Sequence, residues 1–295
     1  MYIKPFAVEE WMNEYEVGAR FNIAETCVDS VSLDELFALT GEDKARFLAD
    51  FSARRLTYGD IVGSDELRAL VTPETKMICI NNPNNPTGAL MSREQLEEIV
   101  EIARGVGAYI LCDEVYRHLT QEDSWSESIA DFYGKGISVS SMSKVFSLAG
   151  LRMGWIATHD EAALCAFLSH RDYNLISCGM FDDAVASIAL RHSDAMLRRN
   201  QTIVRENLAI LDAWVAAHEH FYYTKPKAGT TALVYYDFDV PSYDFCKRMY
   251  RETGAFVTPG DCFEQPHSMR IGYACDKQTL TEGLAALAAF GEMLG

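Results

Sequence analysis

Residues 140–152, Ser-Ser-Met-Ser-Lys-Val-Phe-Ser-Leu-Ala-Gly-Leu-Arg, form the stretch around which this chain is organised. Lys144 follows an apparent strand and stands among hydroxyl side chains, and Arg152 comes eight residues later. A lysine amine in such a place can form an imine with an aldehyde. Hydroxyls and a guanidinium can hold a phosphate. The stretch therefore predicts a site for a ligand that carries both groups.

Outward from this stretch, short apolar runs predict strands at residues 75–80, 108–112, 137–141 and 153–158. The sequence Ser92-Arg-Glu-Gln95 is a capping box, and an apolar stripe from Leu96 to Ala103 predicts the helix that follows it. Strand, helix and strand at this spacing are typical of an α/β fold with a mostly parallel sheet covered on both faces.

The remainder of the chain has a different pattern. Residues 161–215 are mainly helical, and then come short strands at 232–238, 255–258 and 269–273 with helices at 243–252 and 279–294. Short helices are predicted before residue 52, at 8–15, 32–38 and 44–51. We therefore expect an N-terminal segment (1–50), a large ligand-binding domain (51–210) and a smaller α+β C-terminal domain (211–295).

Composition excludes several classes of protein. A net charge of −17 argues against a nucleic-acid partner, because binding to phosphates needs a basic face. No apolar run is long enough to span a membrane, and the first residues lack the apolar core of a signal peptide, so we expect a cytoplasmic protein. The eight cysteines and seven histidines show no metal-ligand spacing, so no metal site is predicted and the thiols are expected to be reduced.

Three motifs follow successive predicted strands: Asn85-Pro-Thr-Gly, Asp113-Glu-Val-Tyr116 and Ser141-Met-Ser-Lys144. In open α/β sheets, ligands bind beyond the carboxyl ends of the strands. Singly, each motif is more often a turn, a helix cap or a surface charge than a site. Together, in this order and at successive strand ends, they point to one ligand.

Each side chain suits one part of pyridoxal 5'-phosphate (PLP). Asp113 would keep the ring nitrogen protonated, so that the ring can accept electrons. Asn85 and Tyr116 would hydrogen-bond the ring oxygen. Lys144 would form the imine and then move a proton. The candidate phosphate ligands are Ser141, Ser143 and Arg152.

With Arg270-Ile-Gly272, these motifs resemble those of the class I/II aminotransferases, the aspartate-aminotransferase-like group of fold-type I PLP enzymes. The resemblance runs from about Leu56 to the C-terminus. It implies transfer of an amino group between an amino acid and a 2-oxo acid, with a substrate carboxylate clamped by Arg270 and Asn85 as a second substrate-binding residue. It also implies a homodimer in which Tyr58 reaches the phosphate of the neighbouring subunit.

The sequence departs from this family between Leu70 and Val71, where the resemblance implies that about ninety residues are absent. The absent part would include a Gly-rich turn into a helix that binds the phosphate, an aromatic residue that stacks on the ring, and edge strands. A sheet reduced to four adjacent central strands is therefore expected, with exposed edges.

Three functions remain compatible with these residues. The first is an aminotransferase that acts through a Lys144 imine. The second is a catalytically impaired remnant of such an enzyme. The third keeps PLP but changes the reaction, to a C–S lyase or a cyclising synthase, because the motifs are common to all of these.

Overall fold

The computed structural model describes residues 43, 45–46, 71–122 and 126–294. The chain divides into two compact units, Met1–Thr57 and Tyr58–Gly295, of which the first lies almost wholly outside the described residues. The helices predicted at 8–15 and 32–38, Tyr58 and the Leu70 side of the Leu70–Val71 junction also lie outside them. Of the helix predicted at 44–51, only Ala45 and Arg46 are described, and both are helical.

The first sheet has four strands in the order β1-β2-β3-β4. Their bounds are Met77–Asn81 (β1), Tyr109–Asp113 (β2), Gly136–Ser141 (β3) and Gly154–Thr158 (β4). The first three strands are parallel, and β4 runs antiparallel to β3 because the connection between them holds only a short 3-10 helix, Ala149–Leu151. All four predicted strands and their adjacency are confirmed.

One face of this sheet is covered by two helices, α1 (Arg93–Val106) and α2 (Ile129–Phe132). The predicted capping box forms, since the Ser92 hydroxyl accepts from Gln95 N and the Gln95 side chain accepts from Ser92 N. The apolar stripe of α1 packs on the strands. The buried residues of this core are Leu96, Ile99, Val100, Ala103, Ala108, Ile110, Cys112, Ile129 and Tyr133.

The side chains of strand β4 are largely exposed to solvent. Trp155 and Ile156 of β4 are exposed, and helix α3 (Glu161–Asn174) buries no residue. Large apolar side chains remain exposed from the last turn of α3 to the first turn of α4 (Met180–Arg191), among them Tyr173 and Met180, each 90% exposed. Within the described residues no strand pairs with the outer side of β4, so the exposed edge expected from the short sheet is present there.

A long helix, α5 (Ser193–Ala217), leads to a second, antiparallel sheet of order β5-β6-β8-β7. Its strands are Phe221–Tyr223 (β5), Thr231–Tyr236 (β6), Thr258–Pro259 (β7) and Ser268–Gly272 (β8). Helices α6 (Ser242–Thr253) and α7 (Lys277–Glu292) pack against it around a core that includes Phe245 and Phe290. Strand β5 was not predicted, because only three residues separate the end of α5 from its first residue.

The predicted domain boundary at residue 210 falls inside α5, and the division into a large and a small domain stays a prediction. No helix in the described part of the chain combines the length and the apolar character that crossing a bilayer requires.

Candidate functional site

The carboxyl ends of the parallel strands bring the first two motifs together. Asn81 of β1 pairs in register with Asp113 of β2, and Asp113 pairs with Val139 of β3. The Asn81 side chain donates to the Asp113 carbonyl oxygen at 3.0 Å. As expected from the topology, the Asn-Pro-Thr-Gly and Asp-Glu-Val-Tyr motifs start from one edge of the sheet.

The turn that carries Asn85 is held by asparagine side chains. Asn81 Oδ1 accepts the N–H of Asn85 at 2.8 Å, and Asn84 Oδ1 accepts the hydroxyl of Thr87 at 2.6 Å. The turn ends at Gly88, whose φ of +69° lies in the left-handed region and whose carbonyl oxygen accepts from Lys227 N at 2.9 Å. The turn is thereby attached to the loop that precedes β6.

A chain of hydrogen bonds joins the two sheets through the predicted site residues. Asn85 Nδ2 lies 3.5 Å from the Tyr116 phenol oxygen, while Asn85 Oδ1 accepts from Arg270 Nη1 at 3.2 Å. Arg270 Nη2 donates to the Thr258 hydroxyl at 3.1 Å. The structure therefore brings together Asn85, Tyr116 and Arg270, which are far apart in the sequence.

Tyr116 is the most buried of these side chains, with 5% of its surface exposed. Burial raises the pKa of its phenol above the ordinary value, while the Thr230 hydroxyl and the positive charge of Arg270 oppose that rise. The phenol therefore keeps its proton at neutral pH and remains a hydrogen-bond donor.

The lysine-bearing loop packs against the same tyrosine. Met142, Val145 and Phe146 are buried in one apolar cluster with Tyr116, and Asn200 Nδ2 donates to the Val145 carbonyl oxygen at 2.8 Å. Lys144 itself is exposed, and no described residue pairs with its amine. Its side chain lines a cavity of about 420 Å³ whose wall includes Thr230, Arg199, Asn207 and Cys275.

The candidate phosphate ligands lie at the adjoining β3–β4 turn but bond within their own loops. Ser141 Oγ accepts the N–H of Ser143 at 3.2 Å. Arg152 Nη1 donates to the carbonyl oxygen of Ala149 at 3.0 Å. Ser141 pairs with Gly154, two residues from Arg152, so the backbone brings their positions close although the two side chains do not bond.

Asp113 stands at the same edge with an exposed carboxylate. Its Oδ1 accepts the N–H of Val115 at 3.0 Å, which fixes the turn that leads to Tyr116. The structure thus places Asp113 beside the Asn85–Tyr116 pair without a direct side-chain bond to either.

Glu114 directly follows Asp113 and is a buried residue beneath this site that the sequence motifs did not single out. Only 1% of its surface is exposed, and its carboxylate accepts from Ser138 Oγ at 2.8 Å, from Ile129 N at 2.8 Å and from Ser128 Oγ at 3.1 Å. It ties the end of β2 to β3 and α2. Side chains alternate between the two faces of an extended chain, which places Glu114 on the face opposite Asp113. That alternation is the sequence signal that could have identified it.

Among the described residues, no group of three or more histidine, cysteine or acidic side chains is arranged to hold a metal ion.

The chain is similar in sequence to known proteins. The family model "Aminotransferase class I and II" matches residues 53–287. The chain is 29% identical to capreomycidine synthase from Streptomyces vinaceus, covering 76% of this chain and 58% of that protein. It is 28% identical to an aspartate aminotransferase from Streptomyces avermitilis, covering 78% and 60%. The chain thus spans about three-fifths of the length of these curated relatives.

Solved structures agree with the fold. A PLP-dependent aminotransferase from Streptococcus suis matches with a TM-score of 0.76 and 35% identity over 100% of this chain and 99% of that one. An aromatic aminotransferase from Pyrococcus horikoshii matches with a TM-score of 0.71 and 26% identity, covering 78% and 63%. The predicted fold-type I architecture is confirmed, and the chain belongs to the class I and II aminotransferase family, whose members depend on PLP.

Proposed function

We propose that this chain binds PLP and transfers an amino group between an amino acid and a 2-oxo acid, with Lys144 as the essential amine. The observation that carries the proposal is the hydrogen-bonded chain Tyr116–Asn85–Arg270 next to the loop of Lys144. These residues lie far apart in sequence, and each is of the type that the chemistry needs.

The donor set fits PLP. The Asn85 amide and the Tyr116 phenol converge within 3.5 Å, as two ligands of one ring oxygen would. The exposed Asp113 carboxylate suits a ring nitrogen, and the exposed Lys144 amine suits an aldehyde. Ser141, Ser143 and Arg152 at the β3–β4 turn would hold the phosphate, with Tyr58 as the proposed contribution of a second subunit.

When bound, PLP supplies an aldehyde for amines and a ring that accepts electrons from the carbon bearing the amino group. The residues of the chain position the reactants and move protons. Arg270 binds the substrate carboxylate, and Asn85 holds the guanidinium. Asp113 keeps the ring nitrogen protonated. Lys144 would remove the proton from the substrate carbon that bears the amino group. It would then deliver a proton to the carbon of the former aldehyde, which takes over the amino group.

The test uses the full chain with added PLP. We expect a Lys144-dependent change in the absorbance of PLP, followed by a further spectral change when an amino acid is added. Lys144→Gln should abolish the first change and the transfer of the amino group to an added 2-oxo acid, although the amine of an added amino acid can still condense with PLP. Lys135→Gln is the matched control, because Lys135 precedes β3 at its opposite end and donates to Gly107 O at 2.6 Å. Spectra that are the same for wild type and Lys144→Gln would refute the proposal.

A catalytically impaired remnant is the second candidate. The observations that favour it are the bonds of Ser141 and Arg152 within their own loops and the largely exposed side chains of β4. Weak PLP binding without any conversion on adding amino acids would support this candidate. Measurable conversion would eliminate it.

A different PLP reaction is the third candidate, favoured by the similarity to capreomycidine synthase. A C–S lyase would release ammonia and a 2-oxo acid without needing an acceptor, whereas a cyclising synthase would consume its amino acid without passing the amino group on. An aminotransferase would convert one added 2-oxo acid to an amino acid in equal amount. Quantifying ammonia and both amino acids separates the three reactions.

We further propose that the chain forms a homodimer. Support comes from the exposed apolar side chains at the end of α3, in the following turn and at the start of α4, where Tyr173, Ile176, Met180 and Phe181 are each at least 73% exposed. A second copy that covers this surface would remove it from water. Light scattering should show a dimer that Phe181→Glu weakens, and a wild-type monomer at tens of micromolar would contradict the proposal.

We also propose that the protein works in the cytoplasm. The seven cysteines in the described residues are all free, which suits a reducing compartment. Fractionation of the source cells, with detection of the full-length chain, tests this location.

A further inference from the structure

Besides its bond to Asn85, the Arg270 side chain has two more contacts, both with the short segment from Thr258 to Phe263. Thr258 of β7 is the register partner of Arg270, which lies in β8. The Thr258 hydroxyl accepts a hydrogen bond from Arg270 Nη2 at 3.1 Å. The centre of the Phe263 ring lies 5.0 Å from Arg270 Cζ, so the positive charge of the guanidinium lies over the aromatic face. Neither residue was picked out from the sequence.

These contacts leave one part of the guanidinium available. A guanidinium has N–H groups in a rigid planar fork, and Asn85 and Thr258 each take one of them. Within the described part of the chain, no other residue accepts from the Arg270 side chain. A carboxylate would approach the remaining N–H groups in the plane of the fork.

The segment that carries Thr258 and Phe263 is itself rigidly placed. Gly260 has no room for a side chain, because a Cβ there would overlap the Ser268 hydroxyl and the Gln265 carbonyl oxygen. Gln265 N donates back to the carbonyl oxygen of Gly260 at 3.0 Å. A rigid support matters because small errors in the position of a binding group cost much of its effect.

We propose that Thr258 and Phe263 are positioning residues that hold the Arg270 guanidinium in the orientation needed to bind a carboxylate. The proposal deepens the proposed function and rests on its assignment of Arg270 to the substrate carboxylate. It adds the residues that orient the group: Thr258 by a hydrogen bond at one nitrogen and Phe263 by a cation–π contact. Neither needs to touch the substrate.

The experiment measures carboxylate binding by the full chain without added PLP, so that its result does not depend on catalysis. The probe is propionate, the uncharged control is propionamide, and the signal is the Arg270 side-chain Nε–H resonance in an NMR titration. Thr258→Val should weaken propionate binding about fivefold, since it removes one hydrogen bond. Thr258→Ser keeps the hydroxyl and should bind as the wild type does.

A second pair of variants tests the stacking. Phe263→Leu should weaken propionate binding about threefold, because it removes a cation–π contact. It should also shift the Arg270 Nε–H resonance of the unliganded chain, since the ring current is lost. Phe263→Tyr keeps the aromatic face and should preserve both the affinity and the resonance position.

The inference is overturned if wild type and Thr258→Val bind propionate equally, if Thr258→Ser is as weak as Thr258→Val, or if the wild type binds propionate no better than propionamide. An unshifted resonance in Phe263→Leu would overturn the stacking part even if that variant bound poorly for reasons of stability. Failure of the proposed function would appear separately, as the absence of a Lys144-dependent spectral change with PLP.

Discussion

Asn85 and Arg270, 185 residues apart in sequence, are joined by a hydrogen bond of 3.2 Å from Arg270 Nη1 to Asn85 Oδ1. The bond determines which way the amide faces, because its oxygen is committed to Arg270 and its nitrogen then faces Tyr116. One amide thereby connects a residue proposed to bind the substrate with one proposed to bind the cofactor.

Replacing this amide by a carboxylate should impair substrate binding. In Asn85→Asp, a negative charge would lie against Arg270 and compete with a substrate carboxylate for the guanidinium. We expect propionate to bind at least about tenfold more weakly, which corresponds to about 1.4 kcal/mol. The NMR titration described above measures this. Asn84→Asp, in the same turn but bonded to Thr87, is the control and should bind propionate normally.

The buried Glu114 should contribute substantially to stability. Glu114→Ala would leave the Ser138 and Ser128 hydroxyls and the Ile129 N–H without their acceptor in the interior. We expect a loss of about 3 kcal/mol in the free energy of unfolding, measured by urea denaturation. The partly exposed Glu127, paired with Arg93, provides the control, since Glu127→Ala should change stability by less than about 1 kcal/mol. Equal losses in the two variants would contradict this account of Glu114.

Gly88 should tolerate no side chain. A Cβ there would lie 2.5 Å from Pro226 Cβ and 2.8 Å from the carbonyl oxygen of Ala228, and φ is +69°. Gly88→Ala should therefore destabilise the chain by about 1–3 kcal/mol. Gly105→Ala is the matched control, because nothing lies within 4 Å and the residue is in α1, so we expect a gain of up to about 1 kcal/mol. Thermal unfolding of both variants compares them directly.

His118 should make stability depend on pH in the acid range. Burial, with the charge of Arg117 as the second cause, lowers the pKa of His118 to about 4. In the unfolded chain the imidazole binds a proton at about pH 6.5, whereas in the folded chain it stays neutral at that pH. The contribution of His118 is therefore fully present above about pH 6.5 and is lost as pH falls towards 4.

The variant that tests this is His118→Asn, because asparagine also adopts the left-handed conformation that His118 has, with a φ of +74°. Its free energy of unfolding should fall less than that of the wild type between pH 7 and pH 4. His170→Asn is the control, because His170 is exposed and its replacement also removes one imidazole from the chain. Parallel pH profiles for wild type and His118→Asn would show that His118 does not cause the acid loss.

The sequence by itself determined the local elements and the chemical types at the site. Strands β1 to β4 and helix α1 follow from apolar periodicity and from the capping box at Ser92, which are properties of neighbouring residues. The motifs at Asn85, Asp113 and Lys144 were placed at strand ends because parallel strands present their carboxyl ends at one edge of a sheet.

Only the tertiary structure decided which of these side chains meet. The bond from Arg270 to Asn85 and the support from Thr258 and Phe263 depend on how the second sheet is placed against the first, which no local pattern encodes. The burial of Glu114 likewise depends on β3 and α2 closing over it. Conversely, the phosphate ligands Ser141 and Arg152 were expected to act together, yet each bonds to a nearer partner in its own loop. Residue types determine what chemistry is possible, and packing determines which groups come within the few ångströms that chemistry requires.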